Sequence, residues 1–349
     1  MSVQFKVVVY CHANSEIGMG HAVRTGALLH ELPEDVEIIC CVDEILVKSY
    51  FPRSSVIQPS TLDAVKEAIS NSNIPTVVIF DLPENSSDFL DLSRHDALCV
   101  TISDYSSNDI IADIVIDPSD LLSEHIFSNL PSHSVVLRGL SYALLRQPFS
   151  IGNHGFRRGT SIGFVVGSGA LSFSWARNIV TKFDASGLGT VEIVVSRAQP
   201  EINKLKAIGA DRGISVCTGL DAEEMVQYYT KLGLCVMTGG TAIYEAMATG
   251  TPLLVYPILK TMLRESSILS SMECVEVLSP SMTTPLPLRV VVNELLSNTS
   301  HLTHIAKKSK RLVDGQGCKR VVQFIERVMH RQHEGQSKFE AIRMEALQN

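Results

Sequence analysis

The stretch Ile17-Gly18-Met19-Gly20-His21-Ala22-Val23-Arg24 follows an apolar run at residues 7–10 and precedes an apolar-periodic segment at 27–32. An apolar run, a glycine turn and a periodic segment in this order predict a β-strand, a loop and an α-helix. Gly18 and Gly20 allow the backbone to turn tightly and to approach a ligand. The helix N-terminus beyond them offers N–H groups to an anion. The pattern therefore predicts that His21 lies beside an anion-binding turn.

This spacing matches neither the lysine-containing phosphate loop nor the dinucleotide motif G-x-G-x-x-G, so ATPase and dehydrogenase chemistry are disfavoured. A titratable imidazole at the turn fits proton transfer on a phosphorylated substrate. A glycine turn with a surface histidine is the alternative interpretation of so short a motif.

Length and composition indicate a globular protein of two domains. The chain has 349 residues, of which 45% are hydrophobic and 19% charged, and a single core rarely grows to that size. A formal net charge of -7 provides no general basic field, which disfavours nucleic acid as a partner. Eight cysteines without a C-x-x-C pair predict reduced thiols and no zinc site. With neither a signal-peptide pattern nor an integral membrane segment in the sequence, we expect a cytoplasmic protein.

Short β-branched runs alternate with helical patterns in both halves of the chain. In the first half we predict strands at 7–10, 36–41, 76–80, 98–102 and 111–116, and helices near 21–32, 61–70 and 87–94. In the second half we predict strands at 161–166, 191–195, 214–216, 234–237 and 253–256, and helix from 300 with a break at Gly315 and Gly317. This alternation predicts the α/β class, with two Rossmann-like domains of parallel sheet facing a central cleft. A polar, glycine-rich stretch at 152–159 separates the predicted domains 1–150 and 160–325, and a helical tail occupies 326–349.

A second glycine turn, Thr238-Gly239-Gly240-Thr241, directly follows the predicted strand at 234–237. Thr241 stands where a helix cap is expected, and Glu245 lies about one turn further on. Backbone N–H groups at such a turn suit a diphosphate, and a carboxylate one turn away can accept both hydroxyls of a ribose. The same residues also suit an ordinary strand–helix turn with a solvated glutamate. Gly167-Ser168-Gly169 is a weaker, matching turn after the first strand of this half.

Five motifs in sequence order resemble those of the PseG-like UDP-sugar hydrolases of pseudaminic acid biosynthesis and their spore-coat polysaccharide relatives. They are I-G-x-G-H-x-x-R at 17–24, the strand ending in Asp81, the aspartate turn at 103–105, G-L-x-Y-A-L-L-R at 139–146 and T-G-G-T-x-x-x-E at 238–245. The C-terminal half also resembles MurG-type glycosyltransferases. The resemblance implies a GT-B architecture, a UDP-sugar in the cleft and attack of water at the anomeric carbon. It implies neither a metal nor another cofactor.

The resemblance also implies the roles of individual residues. His21 matches the family histidine that assists water, and the carboxylate of Asp81 can hold that imidazole charged or oriented. We therefore expect His21 and Asp81 to be catalytic. The residues expected to bind substrate belong to the same motifs: Gly18, Gly20, Arg24, Tyr142, Gly169, Gly239, Gly240, Thr241 and Glu245.

These residues predict an enzyme that cleaves the anomeric C–O bond of a UDP-sugar. The first interpretation is a hydrolase of a UDP-(di)acetamido-deoxysugar in surface polysaccharide or nonulosonic acid biosynthesis. An inverting GT-B glycosyltransferase with a glycan acceptor is the alternative, since the same base can activate a sugar hydroxyl. Departures from the family at Tyr10, His12, Pro83 and Met262 leave the sugar open. They also allow a second alternative, a non-catalytic nucleotide-sugar-binding subunit.

Several other polar residues allow two interpretations. Asp104 can support His21 or simply form a turn. Arg138 and Arg146 can form structural ion pairs or touch substrate, and we favour the structural role for Arg138. The basic run Lys307–Arg311 is expected to be a solvated helix face, with a membrane-surface or lipid-diphosphate patch as the alternative.

Overall fold

The protein divides into two compact units in the computed structural model, which describes residues 4–14, 18–42, 45–57, 61–71, 74–82, 97–103, 112–119, 130–150, 161–167, 170–197, 199–278 and 285–347. The first unit comprises Met1–Arg146 together with Gln316–Asn349, and the second comprises Gln147–Gly315. The chain thus leaves the first unit once and returns to it near its C-terminus.

The described part of the first unit contains a parallel sheet of seven strands. They are β1 (Lys6–Cys11), β2 (Glu37–Val42), β3 (Ser55–Ile57), β4 (Thr76–Asp81), β5 (Leu98–Ile102), β6 (Ile114–Asp117) and β7 (Val135–Arg138). Their order in the sheet is β3-β2-β1-β4-β5-β6-β7. The direction of strand succession therefore reverses between β1 and β4, and open α/β sheets bind ligands at the carboxyl ends of such strands.

Helices cover this sheet because its strands are apolar on both faces. The sequence of β1, KVVVYC, is buried at every position, as is typical of parallel sheets. Helix α1 (Gly20–His30) packs on one face, and α2 (Leu62–Ser70) packs on the other. Gly26 of α1 allows a close approach to the 3-10 helix Ile45–Tyr50, since a Cβ there would lie 2.4 Å from the carbonyl oxygen of Tyr50.

The described part of the second unit repeats this plan with six parallel strands. They are β8 (Ser161–Val165), β9 (Val191–Val195), β10 (Ile214–Thr218), β11 (Leu232–Met237), β12 (Leu253–Val255) and β13 (Glu276–Val277). The strand order is β10-β9-β8-β11-β12-β13, so succession reverses between β8 and β11. The helices are α3 (Ala170–Lys182), α4 (Ile202–Asp211), α5 (Ala222–Thr230), α6 (Ala242–Thr249), α7 (Lys260–Ser271), α8 (Pro285–Ser297) and α9 (Thr299–Leu312).

The returning segment forms α10 (Gly317–His333) and α11 (Lys338–Ala346). Helix α10 begins against the first unit, where a Cβ on Gly317 would lie 2.2 Å from the carbonyl oxygen of Ala143. Buried Glu345 accepts hydrogen bonds from Arg327 Nε (2.5 Å) and Arg331 Nε (2.6 Å), which join the two helices. The predicted boundary at 325/326 would cut through α10. The second unit instead ends at Gly315, because α10 as a whole packs into the core of the first unit.

The α/β class of two parallel sheets with interleaved helices, predicted from the alternating pattern, is confirmed. The predicted strand cores coincide with β1, β2, β4 and β5 in the first unit and with β8–β12 in the second. The pattern missed β3, β7 and β13, which have only two to four residues each. The predicted helix near 87–94 and the start of the predicted strand at 111 lie outside the described residues. No helix in the described ranges is long and apolar enough to span a membrane.

Candidate functional site

The loop after β1 leads His21 to the first turn of α1. Gly18 has a φ of 103°, which a residue with a Cβ rarely adopts, and its N–H donates to the carbonyl of Asn14 (2.8 Å). Gly20 does not have a positive φ and is the first residue of α1. Since residues three and four apart share a helix face, His21, Arg24 and Thr25 all project from the same side of α1.

That side of α1 meets Asp81, the last residue of β4, and all three side chains contact its carboxylate. His21 Nδ1 lies 2.7 Å from Asp81 Oδ1, and Thr25 Oγ1 donates to Oδ2 at 2.7 Å. Arg24 donates through Nε to Oδ2 at 2.9 Å and through Nη2 to Oδ1. Asp81 is fully buried. The predicted pairing of His21 with Asp81 is thus part of a larger hydrogen-bonded cluster, which we call the Asp81 cluster (His21, Arg24, Thr25 and Asp81).

The charges in the Asp81 cluster determine the state of its carboxylate. Burial by itself would raise the pKa of Asp81, but the positive charges of Arg24 and His21 and their hydrogen bonds outweigh it and hold the pKa well below its usual range. An ionised carboxylate can only accept hydrogen bonds, so Nδ1 of His21 carries the donated proton. In a neutral imidazole Nε2 then has the lone pair, as a general base requires.

In the second unit, the turn after β11 is shaped by glycine backbone conformations. Gly239 and Gly240 have φ values of 126° and 82°. A Cβ on Gly239 would lie 3.0 Å from Met262 Cγ in α7, whereas a Cβ on Gly240 would meet nothing within 4 Å. Glycine is therefore favoured at 239 both by the positive φ and by the nearby Met262 side chain, and at 240 by the positive φ alone. The turn stands at the reversal point between β8 and β11, the position equivalent to that of the Asp81 cluster in the first unit.

Thr241 does not act as the side-chain cap that its position suggested. It precedes α6, but its backbone is helical (φ -57°, ψ -23°) and its side chain makes no capping hydrogen bond. A side-chain cap normally needs an extended backbone at that residue. The first N–H groups of α6 instead use backbone carbonyls, since Ile243 N–H donates to the carbonyl of Gly240 (3.0 Å) and Tyr244 N–H to that of Thr241 (3.1 Å).

Glu245 lies in the first turn of α6 and is 6% exposed, so it is not the solvated glutamate of the alternative interpretation. Beside it, the buried Tyr244 hydroxyl donates to Glu265 Oε1 of α7. Together with the contact of Gly239 with Met262, this hydrogen bond ties α7 to the turn. Nothing in the sequence distinguishes Tyr244 or Glu265 from ordinary core and surface residues.

Two further polar groups at the carboxyl edge of this sheet were missed by sequence reasoning. Gln199 follows β9 and Thr218 ends β10, and within the described ranges neither Gln199 Oε1 nor Thr218 Oγ1, both buried, has a hydrogen-bond partner. Nearby, Arg197 Nη2 donates to the carbonyl of Gly219 (2.8 Å). In the sequence, these residues are marked by their position at or after a predicted strand of the second half.

The remaining predicted residues are dispersed. Tyr142 ends a 3-10 helix and packs partly buried against the core of the first unit. Gly169 and Asp104 lie outside the described residues. Lys308 pairs with Glu273, and Lys310 is partly buried beside Gly250, so the Lys307–Arg311 run is not a uniformly solvated helix face. Nowhere in the described residues are three His, Cys, Asp or Glu side chains placed to hold a metal.

Comparisons with known proteins bear on the fold. No protein-family model and no functionally described protein sequence matches the chain. Among solved structures, the S. aureus MnaA–UDP complex matches with a TM-score of 0.65 and 12% identity, over 94% of this chain and 97% of that one. The calicheamicin glycosyltransferase CalG4 matches with a TM-score of 0.62 and 13% identity, over 93% of this chain and 98% of that one. Acinetobacter baumannii MurG matches with a TM-score of 0.59 and 13% identity, over 93% of this chain and 99% of that one.

At these identities the similarity defines the fold and nothing finer. The two parallel α/β units have the GT-B architecture that the motifs implied, and the resemblance to MurG-type proteins holds at the level of fold. None of these matches is a PseG-like hydrolase.

Proposed function

We propose that the protein is an enzyme that uses a UDP-sugar and cleaves the bond between the anomeric carbon and the diphosphate oxygen, with water as the acceptor. The observation that carries the proposal is the 2.7 Å contact between His21 Nδ1 and Asp81 Oδ1. It orients an imidazole at the strand-reversal point of the first sheet and places the proton on Nδ1, so that Nε2 carries the lone pair of a base.

In this mechanism Nε2 of His21 takes a proton from the attacking water as the water oxygen bonds to the anomeric carbon. The C–O bond to the diphosphate breaks, and UDP leaves with the electron pair. Asp81 stays ionised and stabilises the imidazolium that forms, as a carboxylate does beside a catalytic histidine. Arg24 and Thr25 keep the carboxylate in position through the hydrogen bonds described above.

The turn at Thr238–Thr241 binds the diphosphate of the substrate in this proposal, and Glu245 accepts hydrogen bonds from the ribose hydroxyls. The buried oxygens of Gln199 and Thr218 suit the donors of a nucleobase, because a buried polar atom gains from a ligand that supplies its missing hydrogen bond. The similarity to a structure that holds UDP, that of S. aureus MnaA, supports UDP as the nucleotide.

A glycosyltransferase is the second candidate, and the similarity to the calicheamicin glycosyltransferase favours it. The same imidazole would then take the proton from an acceptor hydroxyl. A transferase must protect its donor from water, whereas a hydrolase must admit water to the anomeric carbon. The two functions therefore differ in what the purified protein does to a UDP-sugar alone.

The test is incubation of the protein with a panel of UDP-sugars in ¹⁸O-labelled water, without and with glycan acceptors, followed by mass spectrometry. We expect UDP release without an acceptor and ¹⁸O at C1 of the free sugar. Label in the phosphate would contradict attack at the anomeric carbon. Release of UDP only when an acceptor is present would establish the transferase. Binding of a UDP-sugar without any turnover would establish the non-catalytic subunit.

A further inference from the structure

The outer side of helix α11 carries apolar side chains although it faces solvent. Three large hydrophobic residues on or directly after this helix are exposed: Phe339 (51%), Met344 (42%) and Leu347 (76%). The buried residues of the same helix are Ala341, Ile342 and Glu345. With about 3.6 residues per turn, the exposed set spans less than half of the helix circumference, and the buried set lies opposite.

Helix α11 is firmly held on its inner side. Buried Glu345 binds two arginines of α10 near the C-terminal end, as described above. At the other end, Lys338 Nζ donates to the carbonyl of Ala97 (3.1 Å) and lies 3.1 Å from Asp113 Oδ2. A capping box that begins at Ser337 closes the N-terminus. The exposed apolar side chains are thus fixed in place, and an apolar surface patch of this kind is typical of an interaction site.

Two charges of opposite sign stand between the apolar side chains. Glu340 and Arg343 are both exposed and share one side of the helix, since they are three residues apart. Glu340 Oε2 accepts the hydrogen bonds of Ser337, which leaves its other oxygen for a second donor. Arg343 forms no ion pair with a residue of the described ranges. We call the whole set the α11 face: Phe339, Glu340, Arg343, Met344 and Leu347.

We propose that the α11 face is the contact between two copies of this chain, related by a two-fold axis perpendicular to the helix. The face contains one acid and one base, so a surface of either single sign does not complement it. A second copy does complement it. The two-fold axis makes the helices antiparallel, and Glu340 of each copy then meets Arg343 of the other. This inference is independent of the proposed function.

The apolar side chains add to this contact. In the antiparallel arrangement, Phe339 lies beside the Arg343 guanidinium of the second copy, and an aromatic ring attracts a cation at its face. Met344 lies beside the Glu340 stem of the second copy, and both apolar side chains leave water. A lipid surface fits the face less well, because helices that lie on membranes have Lys and Arg on their polar side, whereas Glu340 lies near the centre of this one.

The size of the α11 face indicates the strength of the association. The helix has nine residues and is about 14 Å long. A contact of that length is smaller than the interfaces of obligate dimers. We therefore expect a weak dimer in exchange with the monomer.

Sedimentation velocity of the full chain at micromolar to submillimolar concentrations measures this association. We expect a monomer–dimer equilibrium in the wild type. Arg343→Glu should weaken the dimer at least ~10-fold, because the two-fold axis turns both ion pairs into repulsions. Glu340→Arg should weaken it similarly through the opposite charge. A wild type that stays monomeric throughout would overturn the proposal, whether or not it binds anionic vesicles.

A mixture of these two variants distinguishes a lost contact from misfolding. Arg343→Glu has two acidic residues on its α11 face, and Glu340→Arg has two basic ones. The two variants therefore complement each other, and a heterodimer forms both ion pairs again. We expect the equimolar mixture to associate nearly as tightly as the wild type. A mixture as weak as either variant alone would contradict the two-fold contact.

The apolar part of the contact has its own variant and control. Met344→Ser should weaken the dimer several-fold, since it removes apolar area from the face. Val290 is 53% exposed on α8 of the second unit, so Val290→Ser is the matched control and should leave the dimer unchanged. A dimer that neither Met344→Ser nor Arg343→Glu weakens uses another surface, and the proposal fails. Absence of activity on UDP-sugars would overturn the proposed function and leave this result untouched.

Discussion

Both glycine turns stand at the strand-reversal point of their sheet, the first after β1 and the second after β11, but they are held by different interactions. The first unit holds its turn through side chains, with three donors from α1 on the buried carboxylate of Asp81. The second unit holds its turn through backbone conformation, with two glycines at positive φ and no side-chain cap from Thr241. A charged, oriented cluster suits proton transfer, and a glycine turn before a helix N-terminus suits an anion.

This comparison predicts that side-chain substitutions in the Asp81 cluster change stability and turnover, whereas substitution of Glu245 beside the second turn changes nucleotide affinity. The clearest way to break the comparison is to remove the charge of Asp81. Asp81→Asn deprives the buried guanidinium of Arg24 of its carboxylate, and loss of one partner of a buried ion pair costs about 3–5 kcal/mol. Chemical denaturation measures this loss, and exposed Asp63 of α2 provides the control, Asp63→Asn, for which we expect almost no change.

The pH dependence of the same variant sharpens the prediction. The pKa of Asp81 is lower in the folded protein than its ordinary value of 3.8, so its stabilising contribution is complete above pH 3.8 and declines as the pH falls further. The free energies of unfolding of wild type and Asp81→Asn should therefore converge below pH 3.8. A constant difference down to pH 2.5 would contradict the ion-pair origin of the effect.

Removal of the base comes next in size. His21→Asn should reduce kcat by at least ~100-fold, the lower end of what general acid–base catalysis contributes, while the affinity for UDP measured by calorimetry stays the same. His30→Asn, at the exposed end of the same helix, is the control. A normal kcat in His21→Asn would leave this histidine with a structural role alone, as a buried partner of Asp81.

The second turn should respond in affinity instead. Glu245→Ala removes the proposed ribose acceptor and should weaken UDP binding by about 1.5–3 kcal/mol, the range for hydrogen bonds to a charged group. Calorimetry with UDP measures the change, with exposed Glu223→Ala in α5 as control. If Glu245→Ala binds UDP as tightly as the wild type, the ribose contact does not exist.

The smallest effect distinguishes the two glycines of this turn. Gly240→Ala should cost about 1–2 kcal/mol of stability, because only its positive φ opposes a Cβ. Gly239→Ala should cost more, because its Cβ also meets Met262. Gly187 has a φ of 71° and open space around the position of a Cβ. Gly187→Ala is therefore the control, and it should cost as much stability as Gly240→Ala without weakening UDP binding. Equal losses of stability in Gly239→Ala and Gly240→Ala would show that the Met262 side chain moves aside without cost.

The alternation of apolar runs and periodic segments was enough to predict two parallel sheets, since strand and helix periodicity is local and the long core strands carry it clearly. The same locality explains what it missed. Strands β3 and β7 are too short to show a period, and the return of α10 to the first unit depends on contacts such as Gly317 against Ala143, 174 positions apart in the chain.

For the candidate site, the sequence by itself determined the glycine turns and the presence of His21, Asp81 and Glu245. It did not show that Thr25 completes the Asp81 cluster or that the side chain of Thr241 does not cap α6. Those facts depend on strand register and on which helix face meets which strand end. Burial and pairing between distant segments decide both, and a local pattern contains no information about them.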